Sequence, residues 1–362
     1  MKKFSFIKLT SGLLLVFLSS TAFTQGVTLP RTPSPAAMVS QTVGISTITV
    51  KYSRPSVKGR EIWGALVPYG WNVQPFGAGN SAPWRAGANE NTVIQFSHDA
   101  KVEGHSVPAG AYGLFFVINK DNTGEVVLSK DNKSWGSFFY DPKSDELRTN
   151  ITLRTISQTE LLTYNFINNT KTSTELVLNW EKKQFPVKIE FAVDDIVMTN
   201  AAQELKGAIG FNWQSFANAA NYALQNKVNY DQALTWINQA IAQNNALNLV
   251  GTKSNILKEM GKTEEADKIM NDAIATANEN DLNTYAYQLL FGGEVDKAIQ
   301  MFILNTQRHP KSANVWDSLG EGYATKGDKK NAIASFKKSL SMNPPAGVKA
   351  NSEKFLKQLG AM

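Results

Sequence analysis

The chain has 362 residues, a formal net charge of +6 at pH 7 and no cysteine. This length exceeds what one hydrophobic core usually serves and predicts two domains. The absence of cysteine excludes a disulfide framework and a thiolate metal site, and a lipid-anchored lipoprotein is not expected. The basic residues are spread along the chain rather than clustered, which argues against a nucleic-acid partner.

The first 24 residues have the pattern of a cleaved signal peptide. Lys2, Lys3 and Lys8 form a positive end, residues 9–18 form an apolar run, and small residues follow up to Thr24. The run is shorter than the roughly 20 apolar residues needed to span a bilayer. We therefore expect cleavage before Gln25, no transmembrane segment in the mature chain, and a periplasmic or secreted protein. Residues 25–36 are expected to be a flexible leader.

Residues 37–195 alternate between apolar and polar positions with a period of two. Ile48, Val50 and Tyr52 are separated by polar residues, which is typical of a half-buried strand. Similar short runs lie at 92–97, 111–119, 125–129, 149–156, 161–167, 175–180 and 187–191. Glycine and asparagine turn signals lie at several gaps between them. The pattern predicts an all-β domain of antiparallel strands, forming a jelly-roll-like sandwich or an open barrel.

Residues 50–90 combine aromatic, basic and backbone-bending residues more densely than a plain connection needs. Arginine binds carboxylate or phosphate through paired hydrogen bonds, and tryptophan offers a flat stacking surface. We therefore predict a site for a small anionic or carbohydrate-like ligand. Its candidate residues are Tyr52, Arg54, Lys58, Arg60, Trp84, Arg85, Asn89 and Glu90. In the alternative interpretation, Arg54 and Arg85 pair with Glu61, Glu90 or loop carbonyls and only fasten this segment to the sheet.

From residue 196 to the end, apolar residues recur at intervals of three and four, as in amphipathic helices. The tetratricopeptide (TPR) pattern is matched by Trp316, Leu319, Gly320, Tyr323, Ala332, Phe336 and Pro344. Equivalent alanines recur at 233, 266 and 298. We predict an all-α TPR-type solenoid of about four helix pairs with a terminal helix at 352–359. Such an array implies a protein or peptide partner, with Asn221 and Asn314 as candidates for its groove.

Several motifs of the first domain appear in a characteristic order. They are SQTVG at 40–44, VKYSRPSVKGREIWG at 50–64, LVPYG at 66–70, WRAGANE at 84–90, VEGHSVPAGAYGLF at 102–115 and LVLNWE at 176–181. With these motifs the domain resembles the domain-of-unknown-function family numbered 2911, which occurs in exported proteins of Bacteroidetes. The resemblance covers nearly all of 37–191 and implies an exported β-domain, but it brings no known activity. A longer insertion between Gly70 and Trp84, and a histidine at position 105, depart from the commoner pattern.

Other chemical sites are weakly indicated. His98, Asp99, Glu103 and His105 lie on a predicted hairpin, and such a set could in principle ligate zinc. The turn around Gly104 makes that geometry awkward, so we predict no metal site. The GAGNSA run at 77–82 has no strand before it and a proline after it, which argues against dinucleotide binding. The sequence contains no GxSxG, Walker or HExxH motif.

These observations favour an exported, non-enzymatic binding or adaptor protein. The repeat array would hold a protein partner, and the β-domain would hold a small ligand. We predict no catalytic residue and no cofactor. The alternative is a hydrolase of glycans or peptides with its site at Arg54, Arg85 and Glu90, in which Glu90 would act with Glu61 or Asp141 in acid–base chemistry.

Overall fold

The computed structural model describes residues 33–362. The predicted signal peptide and most of the predicted leader lie outside these residues. The chain divides into two compact units, one built mainly from residues up to Ile189 and the other mainly from Glu190–Met362. We call them the β-domain and the helical domain. An antiparallel β region followed by a run of helices confirms the predicted fold class, while the sandwich arrangement stays a prediction.

The β-domain contains twelve strands within the described residues. They are β1 (Ala36–Val43), β2 (Ser46–Ser53), β3 (Asn72–Val73), β4 (Ser81–Ala82), β5 (Val93–Phe96), β6 (Ala100–Val102), β7 (His105–Val107), β8 (Gly110–Ile118), β9 (Thr123–Ser129), β10 (Asp145–Thr152), β11 (Arg154–Ile167) and β12 (Ser173–Glu190). They form a six-stranded sheet in the order β1-β2-β5-β8-β9-β10, a four-stranded sheet in the order β11-β12-β6-β7, and the small pair β3-β4.

The alternation in the sequence produces the buried face of the larger sheet. In β2, Ile48 and Val50 are fully buried and pair with Phe96 and Ile94 of β5. The central strand β8 is buried on both faces, because it lies between two strands and its side chains are covered on each side. The Phe116 ring lies 5.1 Å from that of Phe185 on β12, so aromatic packing links the two sheets.

The long segment between β2 and β5 is irregular but closely held. Buried Val57, Ile62 and Val67 anchor it, and Val67 N donates to Ile62 O at 2.8 Å. Further along, Trp84 exchanges two backbone hydrogen bonds with Phe116 of β8, at 2.8 and 2.9 Å. Because the central strand supplies these partners, the residues around Trp84 have a defined position over the sheet.

The helical domain contains ten α-helices: α1 (Val193–Glu204), α2 (Trp213–Asn226), α3 (Tyr230–Gln243), α4 (Leu247–Glu259), α5 (Thr263–Thr276), α6 (Glu279–Phe291), α7 (Val295–Arg308), α8 (Ala313–Lys326), α9 (Lys329–Leu340) and α10 (Ala346–Gln358). Helices α2 to α9 form four pairs, and α10 begins earlier than the predicted terminal helix. Within residues 33–362, no helix is both long and apolar enough to cross a bilayer.

The predicted repeat positions are the contact points of these pairs. Ala233, Ala266, Ala298 and Ala332 are all fully buried. The turn inside each pair contains a residue with a left-handed backbone, at positions 227, 261, 293 and 327. Gly320 of α8 packs so closely on Phe336 of α9 that a Cβ would lie 2.7 Å from the ring. Small residues therefore let paired helices approach, as the repeat pattern requires.

Candidate functional site

Three tryptophans form a rigid cluster in the β-domain. The rings of Trp84 and Trp180 are stacked, with centroids 5.7 Å apart and planes at 13°. Trp63 meets both edge-on, at 5.7 and 5.8 Å. Phe185 packs 5.5 Å from Trp63. Since each ring is held by others, the part of Trp84 that remains accessible is a fixed surface.

A cavity of about 670 Å³ adjoins this cluster. Its volume lies within the range of roughly 300–1,000 Å³ that is common for small-molecule sites. The lining comprises Pro33, Ser34, Pro55, Ser56, Lys58, Arg60, Leu66, Val67, Pro68, Gly70, Asn72, Val73, Gln74, Pro75, Ala82, Pro83, Trp84, Arg85, Gly87, Ala88, Ser137 and Trp180. Most of these residues belong to the long segment between β2 and β5.

The charge of the lining has one sign. Lys58, Arg60 and Arg85 contribute three cations, and no aspartate or glutamate of residues 33–362 lines the cavity. Lys58 is exposed, and its backbone N–H donates to Glu160 Oε1 at 2.9 Å. Arg60 is also exposed, and it donates to the carbonyl oxygens of Val57 and Ser56. The lining therefore favours anions over cations.

Arg85 is the most enclosed of the three cations. Its Nη1 donates to Asn89 O at 2.6 Å, and its guanidinium lies 5.0 Å from the centre of the Phe138 ring. Below it, Gly136 is so close that a Cβ would lie 2.1 Å from Arg85 Cζ. Burial lowers the pKa of Arg85, and within residues 33–362 no carboxylate forms an ion pair with it. A half-buried cation of this kind attracts an anion more strongly than an exposed one does.

Tyr52 and Arg54 lie outside the lining. Tyr52 is buried, and its hydroxyl accepts a hydrogen bond from Tyr164 N at 3.2 Å. Arg54 donates to Leu162 O at 3.0 Å and to Thr163 Oγ1 at 2.6 Å. Both residues connect the end of β2 to β11. Their contacts correspond to the alternative interpretation, in which polar side chains fasten the segment to a sheet.

Asn89 and Glu90 are also outside the lining. Asn89 has a left-handed backbone, with φ of 64°, and its carbonyl accepts the Arg85 hydrogen bond. Its Nδ2 donates to Ser34 O at 3.4 Å. Glu90 is exposed. Of the eight predicted ligand residues, Lys58, Arg60, Trp84 and Arg85 thus share one cavity, and Asn89 orients one of them.

Comparison with known families places the β-domain. Residues 34–189 match the model described as "Protein of unknown function (DUF2911)". We refer to residues 34–189, which match this model, as the DUF2911 domain. Residues 313–345, which comprise α8 and α9, match the model of the tetratricopeptide repeat. No curated protein matches the chain. These matches confirm both predicted resemblances, while the predicted source and export stay predictions.

Among solved structures, several are similar to parts of the chain. YrrB, a TPR protein with an unusual peptide-binding site, is 16% identical, with 43% of this chain and 81% of that chain covered and a TM-score of 0.25. MamA is 18% identical, with 40% and 80% covered and a TM-score of 0.23. PilF of Pseudomonas aeruginosa is 20% identical, with 40% and 68% covered and a TM-score of 0.25.

Trp180 is a cavity residue of the DUF2911 domain that the sequence did not indicate. It lies on β12 and is 1% exposed. Its Nε1–H has no hydrogen-bond partner among the described residues. A buried donor without a partner costs about 1–3 kcal/mol. Trp84 is bridged to β8 of the six-stranded sheet, whereas Trp180 lies on β12 of the four-stranded sheet, so only the packing of the two sheets brings the rings together.

The residues considered for other chemistry in the DUF2911 domain lie elsewhere. Glu61, Glu90 and Asp141 do not line the cavity. Next to the β6–β7 hairpin, His98 Nδ1 is 2.9 Å from Ser97 Oγ, and Asp99 accepts from Ala109 N at 2.8 Å. In the part of the chain that the structure describes, no group of three or more histidine, cysteine or acidic residues is arranged to hold a metal ion.

The helical domain has polar groups between the first helices of neighbouring pairs. Thr252 Oγ1 of α4 donates to Asn221 Oδ1 of α2 at 3.3 Å. Asp317 of α8 accepts hydrogen bonds from Asn351 and Ser352 of α10. Asn283 of α6, one repeat before Asp317, has a buried Oδ1 without a partner in residues 33–362.

Proposed function

We propose that this protein is a non-enzymatic binding or adaptor protein. Its DUF2911 domain binds a small anionic ligand, and its TPR helices bind a protein or peptide partner. The observation that carries the first part is the cavity lined by Lys58, Arg60 and Arg85 without a carboxylate. The signal-like residues 1–24 support a further proposal, that binding takes place outside the cytoplasm.

The hydrogen-bonding capacity of the cavity agrees with an anion. The side chain of Lys58 is a donor only. Arg85 has five N–H donors, and Asn89 accepts from one of its nitrogens. An acceptor-rich carboxylate or phosphate would satisfy several of these donors at once, and hydrogen bonds to charged groups are worth about 1.5–3 kcal/mol each. A cationic ligand would be repelled by the three positive charges of the lining.

Titration calorimetry with inorganic phosphate and with acetate would test the anion proposal. We expect the double variant Lys58→Gln/Arg60→Gln to bind phosphate roughly tenfold more weakly or worse, because two charges at the cavity are removed. Both side chains are exposed, so folding should be unaffected. Lys101→Gln is the matched control, since Lys101 is exposed on β6 and outside the lining. Equal affinities in all three proteins would refute the proposal.

The helical domain supports the second part through its repeat and through Asn283. TPR arrays present an extended concave surface for a partner. Asn283 Oδ1 is buried and has no partner among the described residues, so a peptide backbone N–H would satisfy it once the side chain turned toward the partner. The equivalent Asp317 differs, because α10 already supplies its donors. The surface of α6 is therefore the better candidate for the contact.

Peptides selected from a displayed random library against the whole chain provide the probe. Asn283→Ala should weaken the selected peptides by roughly tenfold or more, since one buried hydrogen bond is lost. Asn280→Ala changes an exposed asparagine of the same helix and should have no effect. If both variants bind the peptides as the wild type does, the contact is not at α6.

The hydrolase alternative has no comparable support. General acid–base catalysis needs a titratable group within hydrogen-bond reach of the substrate. In the described part of the chain, the cavity lining contains neither a carboxylate side chain nor a histidine. The binding function is therefore the one that the cavity supports.

A further inference from the structure

Beside the cationic cavity, the DUF2911 domain exposes a cluster of large apolar side chains. Val73 and Phe76 are each 67% exposed, Phe139 is 49% exposed and Leu66 is 47% exposed. Together with the partly buried Phe138 we call them the apolar rim. Single exposed apolar residues are common on proteins, but contiguous clusters usually mark a binding surface.

The rim is continuous with the cavity. Leu66 and Val73 themselves line it, as does Pro75, the residue before Phe76. The Phe76 ring lies 6.0 Å from that of Phe138 and 5.9 Å from that of Phe139. Phe138 in turn carries the Arg85 guanidinium 5.0 Å from its centre. If the charged group of a ligand binds Arg85, the remainder of that ligand would therefore contact the apolar rim.

The rim is also held in place by the backbone. Ala78 N donates to Phe138 O at 2.8 Å. Gly77, with φ of 98°, lies so near that a Cβ would be 1.9 Å from the same oxygen. Because the loop carrying Phe76 is fastened to the segment carrying Phe138, the two rings form a preformed surface. Preformed apolar surfaces bind with a smaller loss of conformational entropy.

We infer that the ligand of the DUF2911 domain is an amphiphilic anion. A carboxylate or phosphate head would contact Arg85 and the neighbouring cations, and an apolar chain would cover the rim. This inference rests on the proposed anion-binding function and adds the chemical class of the ligand. A concave site of this volume suits a single molecule, whereas a flat membrane surface would not reach a half-buried guanidinium. The cations around Arg85 would thus bind the charged end of the ligand, and the adjoining apolar rim would bind its apolar end.

The test uses the whole chain and a series of straight-chain carboxylates from acetate to dodecanoate, with dodecyl phosphate as the second head group, all below their micelle concentrations. Affinity should rise with chain length by up to about fourfold per methylene that contacts the rim. Phe76→Ser should weaken dodecanoate roughly tenfold or more and leave acetate and phosphate unchanged. Phe211→Ser is the control, because Phe211 is 91% exposed in the helical domain.

The outcomes separate this inference from the function on which it rests. Phosphate binding without any gain from chain length would overturn the amphiphile and preserve the anion site. No binding of any anion would overturn both. Binding to phosphatidylglycerol vesicles but not to monomeric dodecanoate or dodecyl phosphate would also overturn the inference, since it would identify a membrane surface instead. A gain with chain length that Phe76→Ser abolishes and Phe211→Ser preserves would support it.

Discussion

Gly136→Ala should inactivate the anion site without changing any charged residue. Gly136 has a left-handed backbone, with φ of 65°, and lies directly below the Arg85 guanidinium. An added Cβ would be 2.1 Å from Arg85 Cζ and 2.3 Å from its Nε and Nη1. Because ordinary van der Waals contacts of a Cβ begin near 3.4 Å, the guanidinium must move by more than an ångström. That movement breaks its hydrogen bond to Asn89 O.

The cost has two separable parts. A left-handed backbone costs an alanine roughly 1–2 kcal/mol relative to glycine. Loss of a hydrogen bond from a charged donor adds about 1.5–3 kcal/mol. The free energy of unfolding should therefore fall by about 2.5–5 kcal/mol. Anion affinity should fall about 10-fold to 100-fold, because the displaced guanidinium of Arg85 is no longer positioned to donate hydrogen bonds to an anion in the cavity.

Urea unfolding and phosphate titration would measure both parts. Gly104→Ala is the matched control, since Gly104 has φ of 82° and an added Cβ there would meet nothing within 4 Å. It should show only the backbone cost. In an Arg85→Ala background, Gly136→Ala should cost no more than Gly104→Ala, because the clashing group is gone. A penalty for Gly136→Ala that persists in that background would refute the reasoning.

Two further predictions concern the helical domain. Gly320→Ala should lower the free energy of unfolding by about 1–3 kcal/mol, because the added methyl group overpacks against Phe336. Gly347→Ala is the control: it has open space around it in α10 and should raise the free energy of unfolding by roughly 0.5–1 kcal/mol. Urea unfolding measures both, and equal effects would contradict the close approach of α8 and α9. Burial raises the pKa of Asp317 and Glu321. Just above the ordinary pKa values of these carboxyl groups, the folded state therefore binds more protons than the unfolded state. Stability consequently falls as pH rises from the ordinary pKa to the raised pKa. Relative to Asp317→Asn, wild-type stability should therefore decrease as pH rises above about 4, the ordinary pKa of an aspartate, and a flat difference would contradict this.

All eight predicted ligand residues lie in one stretch of sequence, and four of them line the cavity. Lys58, Arg60, Trp84 and Arg85 are in the segment between β2 and β5, whose unusual composition is visible without a structure. The sequence could not separate Arg54 from Arg85, since both are arginines in the same segment. Their roles differ because Leu162 and Thr163 of β11 supply acceptors to Arg54, and that strand lies about a hundred residues away.

The secondary structure could be predicted from the sequence wherever the pattern of apolar residues lies within a single element or helix pair. The TPR helices repeat a pattern that each pair carries in its own residues, such as Ala332 and Phe336, so α8 and α9 were predictable. Helix α1 lacks that pattern and was not predicted. The predicted strand 149–156 instead spans the end of β10 and the beginning of β11. Strand ends there depend on register with β9 and β12, which no short window of sequence contains.

In the proposed anion site, the three cations would have different roles because they are buried to different degrees. Lys58 and Arg60 are exposed, so water and salt screen them, and they contribute mainly by attracting anions from a distance. Arg85 is half-buried, which costs stability while the site has no anion, as its lowered pKa indicates. The same burial strengthens its attraction for an anion that reaches it. Since Gly136 and Asn89 keep the guanidinium in this costly position, the proposed function places the selective contact at Arg85 rather than at its more exposed neighbours.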